Sequence, residues 1–248
     1  LGHLLECAAQ VTGGFFADPG VKDVPRLEDV GFPIAEVSPD GGGVITKAAG
    51  TGGRVDLRTC REQMLYEIHD PSASLTPDVT ADFSAVLMED LGQDRVRIAN
   101  AAGRARPESL KVSLGVREGF LGEGEISFAG RGALERARMA GEIVLRRLER
   151  AGISRDLVKV EIIGYNALLG PIAERGFPVP SDARLRVAAR LEDRRQAERV
   201  GEEVENLYLN GPAGAGGARK AARPVIAIYT TFLPRERVRT ELTIREAP

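Results

Sequence analysis

The chain has 248 residues, 43% of them hydrophobic, and its 34 lysines and arginines are matched by 36 aspartates and glutamates. That is enough material for a real core in one large or two small domains, while the near-neutral balance gives no field to draw in nucleic acid or an anionic membrane. No apolar run approaches the roughly 20 residues of a membrane-spanning helix, so a cytoplasmic protein with neither nucleic-acid nor membrane partners is expected.

Cys7 and Cys60 are the only cysteines, and His3 and His69 the only histidines. These are too few for a disulfide scaffold or a Cys/His zinc site, so reduced thiols and no metal are expected. The first residues, LGHLLECAAQ, read as the middle of a segment, which points to an N-terminal truncation.

Residues 2–14, GHLLECAAQVTGG, begin in a short helical pattern with Leu4, Leu5 and Ala8 inward and end in a small-residue turn at Thr12, Gly13 and Gly14. At helical spacing His3, Cys7 and Gln10 share a face, with Glu6 close by. Cys beside His is a route to an activated nucleophile, and Glu beside His a route to a general base; the plainer alternative is a small buried Cys and a capping His. Residues 15–33, broken by Pro19, Pro25 and Pro33, read as a long surface loop that could serve as a lid.

Ile34–Val37 and Val44–Lys47 predict a hairpin, followed by Gly50, Thr51, Gly52 and Gly53 and then a helix over 56–69. Asp56 is its N-cap, Leu57, Cys60, Met64, Leu65 and Ile68 form its apolar stripe, Arg58 and Glu62 pair four apart, and Pro71 stops it. Glycines ahead of a helix let backbone amides reach a phosphate or carboxylate, and Lys47 would add its charge. The alternative is a tight turn that needs positive φ, with Lys47 solvated on an edge strand. Neither the Walker spacing nor G-x-G-x-x-G is present.

Asp70, Asp78 and Asp82 lie in an irregular connection, where caps and Asx-turns outweigh a metal site. AVLMEDL and RVRIA then form a hairpin, and Leu110, Val112, Leu114 and Val116 alternate in a strand with one buried face. Gly132–Arg150 is a helix, and LVKVEIIGY a strand ending in Gly164, Tyr165 and Asn166, where ligands bind in open sheets. A strand around Leu185–Leu191 and a helix over Glu192–Leu209 repeat the pattern. Residues 211–223, rich in glycine and alanine, read as a flexible loop ahead of the final strands PVIAIYTTF and VRTELTI. Residues 84–248 are therefore expected to form an α+β domain. Two strand–helix–strand units would pack their helices on one face of a mixed, largely antiparallel sheet, as a layered α/β sandwich.

Taken together, GHLLECAAQVTGG at 2–14, GFPIAEV at 31–37, TKAAGTGG at 46–53, EQMLYEIHDP at 62–71, LTPDV at 75–79, LKVS at 110–113 and PRERV at 234–238 resemble the acyclic terpene utilisation (AtuA-type) family. The chain departs from that pattern in having Ala8 where the family carries glycine, and Phe15 near where it carries asparagine. The resemblance implies a bacterial role in breaking down branched acyclic compounds such as citronellol and geraniol, whose intermediates travel as CoA thioesters. It also implies an α/β domain ahead of GHLLEC, so that residues 1–83 are a remnant of the family core.

The leading expectation is an enzyme acting on a branched acyl-CoA-type or carboxylate substrate by hydration, dehydration or carbon–carbon cleavage. It would hold no cofactor beyond the CoA moiety of its substrate. In that scheme Glu6 or His3 is the acid–base group, Cys7 a nucleophile and Tyr165 an oxyanion donor. Thr12, Gly13, Gly14, Lys47, Gly50, Thr51, Gly52 and Gly53 would bind the anion. The rival is a non-catalytic binding or assembly subunit of the same pathway, as a homo-oligomer or with a pathway protein as partner.

Overall fold

The computed structural model describes residues 1–245. The chain forms two compact units, one of Leu1–Val112 with Thr231–Pro248 and one of Ser113–Thr230. The class is α+β. Among the described residues no helix is long and apolar enough to cross a membrane.

The first unit opens with α1 (Gly2–Leu5), then β1 (Pro33–Val37) and β2 (Gly43–Lys47), paired antiparallel with Ala35 opposite Ile45. After α2 (Leu57–Leu65) come the short strands β3 (Ser74–Leu75) and β4 (Thr80–Asp82). The hairpin β5 (Leu87–Gly92) and β6 (Arg95–Ala99) follows, and then β7 (Ala102–Arg104). One sheet runs β1-β2-β6-β5 and a smaller one β3-β4-β7. The β5–β6 hairpin thus belongs with the first unit, since β6 pairs with β2 through Val44 and Arg97. Leu4, Val11, Ile45, Val55, Cys60, Val96 and Ile98 close the core between sheet and α2.

Asp56 caps α2 as its position predicts, accepting from the Arg58 and Thr59 amides, with the Asp56 amide donating in return to the Thr59 hydroxyl. The helix is shorter than the expected 56–69. Tyr66 turns extended and Glu67 takes φ 58°, so Ile68 falls outside and Leu65 is left 66% exposed. The buried face is Thr59, Cys60 and Gln63, two of them polar, which is why an apolar-stripe count misplaces it. Arg58 pairs with the cap Asp56 at 2.8 Å, and Glu62 with Lys22 at 3.6 Å, instead of with each other. Asp70 and Asp82 each accept from the serine two residues on, at 2.9 Å from the Ser72 and Ser84 amides.

Residues 238–245 form no strand, contrary to the expectation for VRTELTI. The chain is held just before them. The Arg235 amide donates to the Glu108 carbonyl at 3.1 Å, and its guanidinium to the carbonyls of Pro107 at 3.2 Å and of Pro77.

The second unit comprises most of β8 (Ser109–Ala129), α3 (Ala133–Arg150), β9 (Val158–Ile163), β10 (Asp182–Leu191), α4 (Arg194–Glu205), the short α5 (Leu207–Asn210) and most of β11 (Ala215–Pro234). The sheet order is β11-β8-β10-β9. Strand–helix–strand twice over, with that order, is the split βαβ, ferredoxin-like arrangement. Leu134, Ala137, Val144 and Leu148 of α3, with Ala197, Val200 and Val204 of α4, pack on Ile126, Leu185 and Val187. Each fully buried Leu, Ile or Val there contributes about 1.5–3 kcal/mol relative to exposure.

The stretch 211–223 is not a loop beyond Gly214, because β11 starts at Ala215. The close approaches lie on its neighbours: a Cβ on Gly201 of α4 would sit 2.6 Å from that of Lys220, and one on Gly122 of β8 would run into the Ala197 carbonyl. Pairing with β8 supplies the order that local propensity lacks. Leu114 and Val116 also depart from the one-face-buried reading, being 46% and 43% exposed, because β10 covers β8 only from Phe120 to Ala129.

Candidate functional site

The polar cluster of the first unit is built on a break in α1. The helix stops at Leu5, and successive turns carry the chain to Phe16, with Gln10 bonded to the Cys7 carbonyl at 3.0 Å and Gly14 to that of Ala9 at 2.8 Å. His3, Cys7 and Gln10 therefore do not share one helical face. His3 and Glu6 do meet, with Nδ1 2.6 Å from Oε1. The imidazole stacks on Phe83 at 5.8 Å between centroids, and the Gln63 amide nitrogen donates to the His3 carbonyl at 3.0 Å. Nε2 of His3, Nε2 of Gln10 and Oε1 of Gln63 are buried with no hydrogen-bond partner. Cys7 is half-buried and Glu6 exposed.

A carboxylate on Nδ1 fixes a neutral imidazole as the Nδ1–H tautomer and leaves Nε2 as a lone-pair base. Gln63 and Phe83, which position the ring and its backbone, are residues the sequence reading missed. The one sign available was a glutamine on the inward side of a helix whose neighbours are apolar.

Electrostatics separate the thiols and acids of this unit. Burial pushes the Cys60 thiol up to about 12, which makes it an inert core group. Burial also pushes the Asp56 carboxyl up, but hydrogen bonds from Arg58 and the Thr59 amide outweigh it and hold the group below its ordinary value. The Tyr66 phenol is raised, first by the charge of Glu67, then by burial and by Cys7.

The two glycine turns come together. The Thr12 carbonyl accepts from the Arg54 amide at 2.8 Å, and the Thr12 hydroxyl lies 2.5 Å from the Gly31 carbonyl. Gly53, at φ 88°, presses so close that a Cβ would stand 2.5 Å from the Thr12 carbonyl, and one on Gly52 would meet the Arg26 carbonyl. Residues 12–14, 25–31 and 50–54 are thus stitched into one knot.

Within it the amides of Thr51, Gly52 and Gly53 donate to the carbonyls of Ala48, Asp29 and Pro25 at 3.4, 2.7 and 2.7 Å. Lys47 is neither solvated nor free: its side chain, 9% exposed, donates to the Thr51 carbonyl at 2.9 Å and lies 3.3 Å from Asp94. In this conformation those groups bind the protein's own main chain. Gly50 is exposed, with the Arg26 guanidinium 2.5 Å from its carbonyl. Beside the knot lies a groove of about 600 Å³, lined among others by Asp23, Pro25, Gly53, Arg54, Asp56 and Asp94. Among the described residues no group of His, Cys, Asp and Glu is arranged to hold a metal.

Tyr165 belongs to the second unit. Its amide donates to the Ile162 carbonyl at 3.0 Å, its ring packs on that unit's core, and the Arg138 guanidinium lies 5.5 Å from the ring centre.

The segments that resemble one family interlock in the first unit: GHLLECAAQVTGG bonds to EQMLYEIHDP through His3 and Gln63, and PRERV reaches LTPDV through Arg235 and Pro77. The chain matches the profile of the acyclic terpene utilisation family protein AtuA over residues 1–244. No curated protein and no solved structure gave a match. With nearly its whole length covered, the chain belongs to the acyclic terpene utilisation family AtuA.

Proposed function

We propose that, within acyclic terpene utilisation, this chain acts on a branched acyl-CoA-type or related carboxylate intermediate by hydration, dehydration or carbon–carbon cleavage. The observation that carries the reading is the Glu6–His3 contact of 2.6 Å with Nε2 of His3 unpartnered. Glu6 holds the tautomer, and Nε2 takes or returns the proton at the substrate carbon or at a water. Cys7 stands next in the chain as the candidate nucleophile. A phosphate or carboxylate at Gly50–Gly53 would have to open the carbonyl bonds now made there, or use the exposed Gly50 and the Arg26 guanidinium.

The test is turnover of branched acyl-CoAs by the full-length protein beside its Glu6→Gln, His3→Gln and Cys7→Ala variants. Loss of about 10²–10⁴-fold in the first two is expected for general acid–base work. Full activity in both would remove the assignment. The second reading, a binding or assembly subunit, draws on the occupied amides of the Gly50–Gly53 loop. It predicts ligand binding without turnover. Equilibrium binding of CoA against a pantetheine thioester checks it, and binding of neither would leave the loop as a packing knot alone.

A further inference from the structure

β11 is a 20-residue edge strand, and its two halves are defended differently. An open edge presents unpaired N–H and C=O groups and is ordinarily guarded by charges and proline. The first half carries Arg219, Lys220, Arg223 and Pro224. Val225–Thr230, VIAIYT, carries none, and is a run of β-branched and aromatic residues of the kind that templates another strand.

Its side chains stand in solvent: Ile226 is 55% exposed, Ile228 66% and Tyr229 51%. On its inner side the strand lies along β8, where a Cβ on Gly115 would be 3.3 Å from Ile226 and the Tyr229 hydroxyl meets Glu118. Leu114 and Val116 of β8 are exposed as well. Among the described residues no strand lies on the outer side.

We infer that Val225–Thr230 is a homodimerisation edge, pairing antiparallel with the same segment of a second copy. Self-pairing about a two-fold axis at Ala227 sets Ile226 opposite Ile228 and Val225 opposite Tyr229, twice each, and ends where Thr230 meets Pro224. These are β-branched and aromatic–β-branched cross-strand pairs, the favourable kind. Arg223 falls outside the paired window, so no like charges are opposed. An isologous contact of this sort closes on itself and leaves no free edge to propagate.

The experiment is sedimentation or light scattering of the full-length protein between about 1 and 100 µM, with Ile226→Lys/Ile228→Lys as the edge-breaking variant. Both side chains are exposed in the single chain, so at concentrations where the parent is monomeric the thermal midpoint of the variant should match it. A concentration-dependent mass of two chains in the parent, and of one chain in the variant, is expected. Ala227→Cys in a Cys7→Ser background should then cross-link two chains under mild oxidation. A parent that stays monomeric to 100 µM overturns the proposal and leaves the edge to a strand of some other protein. A dimer that survives the double lysine change overturns it in favour of a different surface. A dimer of the Ala227→Cys variant that forms no cross-link refutes the register.

Discussion

Ala8 and Phe15 bracket the turn of the polar cluster, and both hold left-handed backbone, at φ 48° and 52°. A side chain in that region costs about 1–2 kcal/mol, whereas glycine enters it freely but gives up about 0.5–1 kcal/mol through its looser unfolded chain. Ala8→Gly should therefore stabilise by about 0.5–1 kcal/mol, since Ala8 is exposed and loses no core contact. At about 2–4 °C per kcal/mol for a chain of this size, the midpoint should rise by about 1–4 °C. The assay is differential scanning calorimetry, with Ala9→Gly as control: Ala9 is not among the left-handed residues, so the same change should lower the midpoint. If the midpoints of the two variants fall together, Ala8 stores no left-handed strain. If that of Ala8→Gly rises, this chain carries a relaxable strain at Ala8.

Gly52→Ala should loosen the knot, because the new methyl meets the Arg26 carbonyl; a fall in stability with or without CoA present, read by thermal shift, is expected. Arg235→Ala removes donors to the Pro77 and Pro107 carbonyls and should destabilise the first unit by about 1–3 kcal/mol, measured by urea unfolding. A thiol reagent at pH 8 should label Cys7 alone in the native protein and both cysteines in urea, given the Cys60 thiol at about 12. Hydrogen bonds from Arg155 and then Arg146 hold the Glu142 carboxyl at about 2, below its ordinary 4.5. The stability this confers is present above pH 4.5 and is lost as pH falls through about 2, so Glu142→Gln should flatten unfolding midpoints across that window.

Much of the second unit was legible in the sequence because its signals are local and periodic. The stripe Leu134, Ala137, Val144 and Leu148 and the alternation of Leu185, Val187 and Ala189 each name their buried face. What escaped was non-local. Ala215–Ala222 is a strand only because β8 lies beside it, and VRTELTI fails to become one although it alternates well. In the candidate site, the nearness of Glu6 to His3 was readable in one short segment, whereas the support from Gln63 and Phe83 comes from 60 and 80 residues away and left no local mark. The glycine loop shows the same limit. Sequence supplies amides free for an anion, and only the fold assigns them to Asp29 and Pro25.

The first unit is left at Val112 and regained at Thr231, so its last clasp, Arg235, is translated 128 residues after the Pro107 carbonyl and 158 after the Pro77 carbonyl that it must grip. At roughly 5–20 residues per second, the nascent first unit waits about 6–32 s for that clasp, with all of the second unit emerging meanwhile. The second unit needs no such return and is free to fold as soon as its own last strand clears the ribosome. Birth order and completion order are thus reversed: the unit begun first is the one sealed last.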